Sequence, residues 1–313
     1  MNMKTLTNLR TALLGLWALL FFWSMSALAA TPLVDVEWVK ANLDKPGIVF
    51  LDLQPMADYL RGHIPGAVNT NFEKGGWREE RARDKVPDML PEDLNKLAAM
   101  IGRLGIDNTT HVVIVPPGQS NIDMGWATRI YWTFKVLGHD EVSILNGGMK
   151  AYTADKKNPL QTGPVTPQPK TFTVHFRREY LATVDDVKEA LANKKAVLVD
   201  LRPEDQFVGI NRNPKASMNG TLPGAKNLPS PWLTENAGGT FRNLQQLREL
   251  AKIAGVPTSG PEIAFCNTGH FAANGWFVLH ELLGNKDVKL YDGSMVEWTL
   301  TKAGPVEQKV KLP

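Results

Sequence analysis

A short apolar segment, Ile48-Val49-Phe50-Leu51-Asp52-Leu53, has the pattern of a buried β-strand. The pattern recurs in Val197-Leu198-Val199-Asp200-Leu201, and a proline stands two residues after each of the two segments. Two further pairs of segments match in the same order: Gly62-His63-Ile64-Pro65-Gly66-Ala67 with Gly220-Thr221-Leu222-Pro223-Gly224-Ala225, and Asn146-Gly147-Gly148-Met149 with Asp292-Gly293-Ser294-Met295. Three matches in one order indicate a tandem duplication, in which the second copy carries about ten extra residues within 208–219.

Each copy alternates short apolar strands with helical segments. In the second copy, residues 263–265 and 289–291 have strand patterns, and residues 272–283 between them have a helical one. This alternation predicts an α/β fold in which each copy is a parallel sheet flanked by helices. Four prolines within 158–170 predict an extended linker. The predicted domains are therefore 33–157 and 171–304, followed by a tail over 305–313.

The first 29 residues have the layout of a secretory signal peptide. Lys4 and Arg10 give a basic start, residues 12–23 are apolar apart from one glycine, and Ala27-Leu28-Ala29 resembles a cleavage site. The apolar run is shorter than the ~20 residues needed to span a bilayer. Cleavage would lower the formal net charge from +3 to about +1, which argues against nucleic acid or an anionic membrane as a partner. We expect an exported, periplasmic protein.

The chain has a single cysteine, Cys266. A disulfide framework needs pairs of cysteines, and a cysteine-based zinc site needs several, so both are excluded within one chain. The six histidines show no spacing typical of metal ligands. We therefore expect no structural metal.

The cysteine opens the segment Cys266-Asn267-Thr268-Gly269-His270-Phe271, between the strand that ends at residue 265 and a helix predicted from about Ala272. Ligands of open α/β sheets bind outside the carboxyl ends of the strands, where this loop emerges. Inward-facing N–H groups and the helix dipole there favour a thiolate, which is the nucleophilic form of cysteine. Gly269 permits a left-handed backbone. The alternative is that Cys266 is simply a small buried apolar residue.

These motifs together resemble the two-domain sulfurtransferases of the rhodanese superfamily, over residues 35–298. The resemblance implies two tandem rhodanese-like domains, of which only the second carries the catalytic cysteine. Counting back from Cys266 by the spacing of the last repeat match gives Ser120, so the first domain is expected to be non-catalytic. The implied reaction moves a sulfane sulfur from thiosulfate or 3-mercaptopyruvate to cyanide or a thiol through a persulfide on Cys266, with no cofactor.

The resemblance also suggests residues that bind the donor. Loop residues Asn267, Thr268, Gly269, His270 and Phe271 are expected to line the site, with His270 adding partial positive charge. Lys215 stands about where related enzymes place an arginine that contacts the anionic end of the donor, and Arg212 precedes it in the inserted segment. The alternative is that Lys215 is a solvated lysine of a surface loop. A lysine offers a point charge in place of a bidentate fork, so anion recognition is expected to be looser. Asp200, at the end of a predicted strand, is expected either to support the cysteine loop or to cap a turn.

Other functions remain open at the level of sequence. A cysteine phosphatase needs an arginine where Ala272 stands, so nothing in the loop would clamp a phosphate. A persulfide carrier that hands sulfur to a protein partner would use the same Cys266, as would a redox-sensing thiol that forms an intermolecular disulfide. The position of the cysteine in an anion-binding loop favours sulfur transfer, with the donor left open between the two candidates.

Overall fold

The structure is a computed structural model that describes residues 30–310, so the predicted signal peptide over 1–29 lies outside the described residues. It contains two parallel sheets of five strands. The first comprises β1 (Leu33–Val34), β2 (Ile48–Asp52), β3 (Val68–Asn69), β4 (His111–Val115) and β5 (Val142–Leu145); the second comprises β6 (Leu181–Ala182), β7 (Val197–Asp200), β8 (Lys226–Asn227), β9 (Glu262–Phe265) and β10 (Val288–Tyr291). The strand orders, β1-β5-β4-β2-β3 and β6-β10-β9-β7-β8, are the same. The predicted α/β fold of two tandem parallel sheets is confirmed.

Helices cover both faces of the two sheets, as βαβ connections require. They are α1 (Val36–Lys40), α2 (Met56–Arg61), α3 (Leu94–Arg103), α4 (Asn121–Val136), α5 (Gly148–Tyr152), α6 (Val184–Asn193), α7 (Glu204–Val208), α8 (Leu244–Ile253), α9 (His270–Trp276) and α10 (Ser294–Leu300). Helix α9 continues into a π-helical stretch, Phe277–Leu282, and short 3₁₀ turns cover Arg178–Tyr180, Ser230–Leu233 and Glu235–Ala237. The central strands are almost continuously apolar because helices bury them on both sides.

The two sheets share one apolar core through helices α4 and α9. The largest cluster of buried apolar side chains contains residues of both domains. Polar contacts fix the register of the two helices: the Thr128 hydroxyl donates to Asn274 Oδ1 at 2.9 Å, and Asn274 Nδ2 donates to the carbonyl of Asn121 at 3.0 Å. Because Thr128 and Asn274 are both fully buried, sliding α4 past α9 would leave the side-chain amide of Asn274 without these partners. The domains therefore meet along a defined interface beside the carboxyl end of β9.

The connecting chain and the C-terminal segment pack in equivalent ways. Gln161 forms an antiparallel bridge with His63, and Glu307 forms one with Thr221. The extended connection continues past residue 170, because the backbone N–H of Arg177 still donates to Val136 in the first domain. Each domain is thus closed by the extended segment that follows it. No helix within residues 30–310 is long and apolar enough to span a membrane.

Candidate active site

The cysteine loop lies at the carboxyl edge of the second sheet. Strand β9 ends at Phe265 and α9 begins at His270, so the loop is residues 266–269, and the helix starts earlier than the predicted Ala272. Cys266 is 2% exposed and belongs to the core shared by the two domains. Gly269 has a φ of +81°, and a Cβ at this position would collide with Nη1 of Arg129. A glycine is therefore required for the loop to approach the first domain.

The backbone of Cys266 is held by the N-terminal turn of α10. Its N–H donates to Ser294 Oγ at 3.0 Å, and its carbonyl accepts from the N–H of Met295 at 3.0 Å. Ser294 is completely buried, donates its own hydroxyl to the carbonyl of Tyr291 at 2.7 Å, and has a φ of +49°. This left-handed backbone is unfavourable for a residue with a Cβ, so the serine is strained. The strained residue is thus the one whose hydroxyl accepts a hydrogen bond from the backbone of Cys266 and holds it in place.

The first domain carries Pro116 at the position of Cys266. Strand β4 ends opposite Asp52 as β9 ends opposite Asp200, and Met149 N–H donates to the Pro116 carbonyl as Met295 does to that of Cys266. The expectation that Ser120 is the counterpart of Cys266 was wrong: Ser120 is the N-cap of α4, the place that Gly269 takes before α9. The expectation failed because the two copies differ in length between this strand and the final matching turn.

This comparison explains why Ser294 is present. Its counterpart in the first copy is Gly148, which has nearly the same backbone conformation, with a φ of +56°. Pro116 has no N–H to donate, whereas Cys266 has one. The repeat that carries the cysteine therefore has a hydroxyl at the point where the other repeat needs none.

The loop also presents unused backbone donors. Among the described residues, none accepts a hydrogen bond from the N–H groups of residues 267–272. The carbonyls of Cys266 and Asn267 are both bonded to α10, so the peptide chain of the loop is held from behind. Several N–H groups close together favour a negative charge. The loop can therefore stabilise an anion at or beside the sulfur.

Aromatic side chains of the first domain pack beside the loop. The ring of Phe72 meets the ring of His270 edge-on, with centroids 5.0 Å apart. Trp126 also stacks on Phe72, with centroids 6.1 Å apart. Phe72 is buried, while Trp126 and His270 are half-buried. The first domain thus forms an apolar side of the site.

Cations of both domains meet next to these rings. The guanidinium of Arg78 lies 5.3 Å from the centre of the Phe72 ring. Its Nη1 is 2.7 Å from Asp88 Oδ1, and the other oxygen of Asp88 accepts from Nζ of Lys215 at 2.6 Å. Burial raises the pKa of Asp88, but Lys215 and Arg78 outweigh it, so the net pKa lies below the ordinary value. The three side chains carry a net charge of +1 beside the cysteine loop.

His270 does not supply the positive charge expected of it. Burial lowers its pKa to about 3, and the charges of Arg129 and Arg78 act in the same direction. Its Nε2 is enclosed without a hydrogen-bond partner. The imidazole is therefore neutral at any pH near neutrality, and the positive charge at this site comes from Arg78 and Lys215.

A buried ion pair supports the loop from the first domain. The guanidinium of Arg129, on α4, pairs with Asp292, and the two side chains are only 1% and 3% exposed. The other oxygen of Asp292 accepts from the N–H of Leu90 at 2.6 Å. Arg129 also lies 4.7 Å from the centre of the Trp132 ring and beside Gly269. The pair joins α4, the cysteine loop and the turn before α10.

Of the other residues that were predicted for the site, some lie at the cysteine loop and others do not. Asn267 Nδ2 donates to Gln206 Oε1 at 2.9 Å, and Thr268 and Phe271 are half-buried. Arg212 is not brought to the loop; its Nη1 donates to the Ala216 carbonyl at 2.8 Å.

Asp200 does not hydrogen-bond to residues 266–271 either. It forms a bidentate pair with Arg202 and accepts from the Thr221 hydroxyl at 2.7 Å. Both charged groups are fully buried, so this pair fixes the end of β7 and the turn at Thr221. Its support of the cysteine loop is indirect, through the strand.

Sequence reasoning missed the contributions of the first domain and of Ser294. Phe72, Arg78, Asp88 and Arg129 reach the loop only because the two domains pack together, and no local motif marks them. Ser294 did have a signal, since the matching turns differ by Gly148 against Ser294. Within residues 30–310, no group of three or more His, Cys, Asp or Glu side chains is placed to hold a metal ion.

Comparison with known proteins gives consistent matches over both domains. The model of the rhodanese-like domain matches residues 35–155 and 183–301. A thiosulfate sulfurtransferase of Bos taurus is 32% identical over 286 residues, covering 85% of this chain and 91% of the relative. The sulfur carrier protein TtuD of Thermus thermophilus is 33% identical over 278 residues, covering 85% and 93%. The crystal structure of SseA from Escherichia coli, described as a 3-mercaptopyruvate sulfotransferase, superposes with a TM-score of 0.73 at 29% identity, covering 85% and 99%.

Proposed function

Because the chain belongs to the rhodanese family and is a sulfurtransferase, we propose that Cys266 takes a sulfane sulfur from a small anionic donor and passes it on as a persulfide. The observation that carries this proposal is the position of Cys266. Its backbone is bonded to α10, the N–H groups of residues 267–272 are unused among the described residues, and Arg78 and Lys215 lie beside the loop. The site thus combines a nucleophilic sulfur, hydrogen-bond donors that can stabilise its negative charge, and cations that can bind an anionic substrate.

The proposed cycle has two displacements and no net oxidation or reduction. With thiosulfate, the Cys266 thiolate attacks the outer sulfur, the Sγ–S bond forms, and sulfite leaves with the electron pair of the broken S–S bond. In the second step, cyanide or a thiolate attacks the terminal sulfur, and the Sγ–S bond breaks to restore the Cys266 thiolate. The free N–H groups stabilise the charge on the persulfide. No general base is needed if the thiol enters as a thiolate.

The charges of the site favour an anionic donor. Lys215 is half exposed, with 51% of its side chain accessible, so its ammonium can reach a bound molecule from the solvent side. Thiosulfate and 3-mercaptopyruvate both carry an anionic end opposite the sulfur to be transferred. The neutral side chains of Asn267 and Thr268 put no cation inside the loop, so Lys215 and Arg78 are the groups that would meet that end.

The test is thiocyanate formation from each donor and cyanide by the purified protein, with Cys266→Ser as the comparison. The serine is close in size and leaves the hydrogen bond from the backbone of residue 266 in place. We expect turnover by the parent protein, none by the variant, and similar thermal midpoints for the two. Turnover by Cys266→Ser would refute the proposal.

A persulfide carrier is the second candidate, and the similarity to a protein named as a sulfur carrier favours it. A carrier would form the same persulfide but release it slowly to small acceptors. Persulfide formation with a small donor, followed by negligible turnover with cyanide or thiols, would favour the carrier.

We also propose that the protein is exported to the periplasm. The basic start, the short apolar run and the small residues at 27–29 support this. Fractionation of cells followed by intact mass is the test: a periplasmic form that lacks residues 1–29 is expected, and a cytoplasmic form of full length would contradict it.

A further inference from the structure

Asp88 has an unusual position in the first domain. Its φ of +65° is a left-handed conformation that few residues other than glycine adopt. The side chain is 11% exposed and reaches across to the second domain, where one oxygen accepts from Lys215.

The carboxylate occupies the space between two cations. Arg78 and Lys215 bond to different oxygens of Asp88, at 2.7 Å and 2.6 Å. The Arg78 guanidinium lies against the ring of Phe72, and that ring contacts the imidazole of His270 in the segment that follows Cys266. The carboxylate therefore lies between the two cations that we propose to meet the anionic end of a donor.

We propose that Asp88 is a specificity-determining residue that competes with the donor for Arg78 and Lys215. The proposal rests on the proposed function, because it assumes that these two cations receive a small anionic donor. A donor of charge −2 is repelled by the carboxylate more strongly than a donor of charge −1. Asp88 therefore disfavours thiosulfate relative to 3-mercaptopyruvate, which carries a single negative charge near neutral pH.

The variant Asp88→Asn tests this with little change of shape. Asparagine tolerates the left-handed backbone as well as aspartate does. Arg78 keeps a second carboxylate, since its Nη2 lies 3.3 Å from Glu73 Oε1, and Lys215 remains in contact with water. Glu92→Gln is the matched control: it also removes one negative charge, but Glu92 is an exposed partner of Arg83 and has no contact with the loop.

The experiment measures KM and kcat for both donors in the parent protein, Asp88→Asn and Glu92→Gln. A carboxylate paired with partly exposed cations corresponds to about a five-fold effect on affinity. We expect Asp88→Asn to lower the KM for thiosulfate by about five-fold, to lower that for 3-mercaptopyruvate less, and to leave kcat nearly unchanged. Glu92→Gln is expected to change neither KM.

Titration of thiosulfate into Cys266→Ser, with and without Asp88→Asn, separates this inference from the proposed function. Tighter binding in the double variant supports the competition even if the parent protein shows no turnover. A raised KM in Asp88→Asn would mean that the carboxylate positions Lys215, and would overturn the inference. Equal effects of Asp88→Asn and Glu92→Gln would overturn it as well, since they would report only the net charge of the protein.

Discussion

Replacement of Ser294 separates two roles that the structure assigns to it. Ser294→Ala keeps the strained backbone but removes the acceptor for the buried Cys266 N–H, which costs about 2 kcal/mol of unfolding free energy. Ser294→Gly removes the same acceptor but also relieves a left-handed backbone, which costs about 1 kcal/mol or more for a residue with a Cβ. The greater flexibility of the unfolded glycine chain offsets part of that relief. We therefore expect Ser294→Gly to be more stable than Ser294→Ala by about 0.5 kcal/mol.

The catalytic activity of the two variants should depend on the loss of the hydrogen bond to Cys266 and not on the relief of backbone strain. Both variants lose the contact that fixes Cys266, so both should lose kcat/KM by about ten-fold or more, as small displacements of a reacting group do. The assays are urea unfolding and sulfur transfer to cyanide for the parent protein and both variants. The reasoning is refuted if Ser294→Ala retains full kcat/KM, or if the two variants are equally unstable.

Three further predictions test the surroundings of the loop. Arg129→Met should lower the unfolding free energy measured in urea by about 3 kcal/mol or more, because it leaves the buried Asp292 carboxylate unpaired; a loss below 1 kcal/mol would contradict this. Burial raises the pKa of Glu262 to about 8, so between about pH 4.5 and pH 8 the carboxyl ionises in the unfolded chain but not in the folded protein. The free energy of unfolding therefore falls over this range, by at most about 1.4 kcal/mol per pH unit. Urea unfolding at pH 5 and pH 8 should show Glu262→Gln gaining stability over the parent protein toward pH 8, and a constant difference would contradict this. Lys215→Ala should raise the KM for the donor more than it lowers kcat, since it removes binding that the ground state and the transition state share; an unchanged KM would remove Lys215 from the site.

The sheets could be predicted from the sequence because their determinants are local. Apolar strands that alternate with helical segments leave few arrangements, and the repeated turn at Pro65-Gly66 and Pro223-Gly224 shows that both copies follow the same one. Cys266 could be located for the same reason, since the end of a predicted parallel strand defines the edge of the sheet. The residue of the first domain that corresponds to Cys266 could not be predicted. The residue spacing taken from one pair of matching segments no longer applies where the loop between the segments differs in length.

The partners of the cysteine depend on how the two domains pack. Arg129 and Arg78 lie far from Cys266 in sequence, and α4 brings the first of them to Gly269 only after docking on α9. His270 shows the same limit, since its neutrality follows from burial and from cations of the other domain. The position of His270 beside the cysteine does not by itself determine whether its imidazole is charged.

The most direct test of persulfide chemistry on Cys266 is the intact mass of the purified protein after brief exposure to thiosulfate, or to 3-mercaptopyruvate, followed by cyanide. We predict a gain of one sulfur atom that cyanide removes and that Cys266→Ser does not show. No gain with either donor, or a gain that persists in Cys266→Ser, would contradict the account.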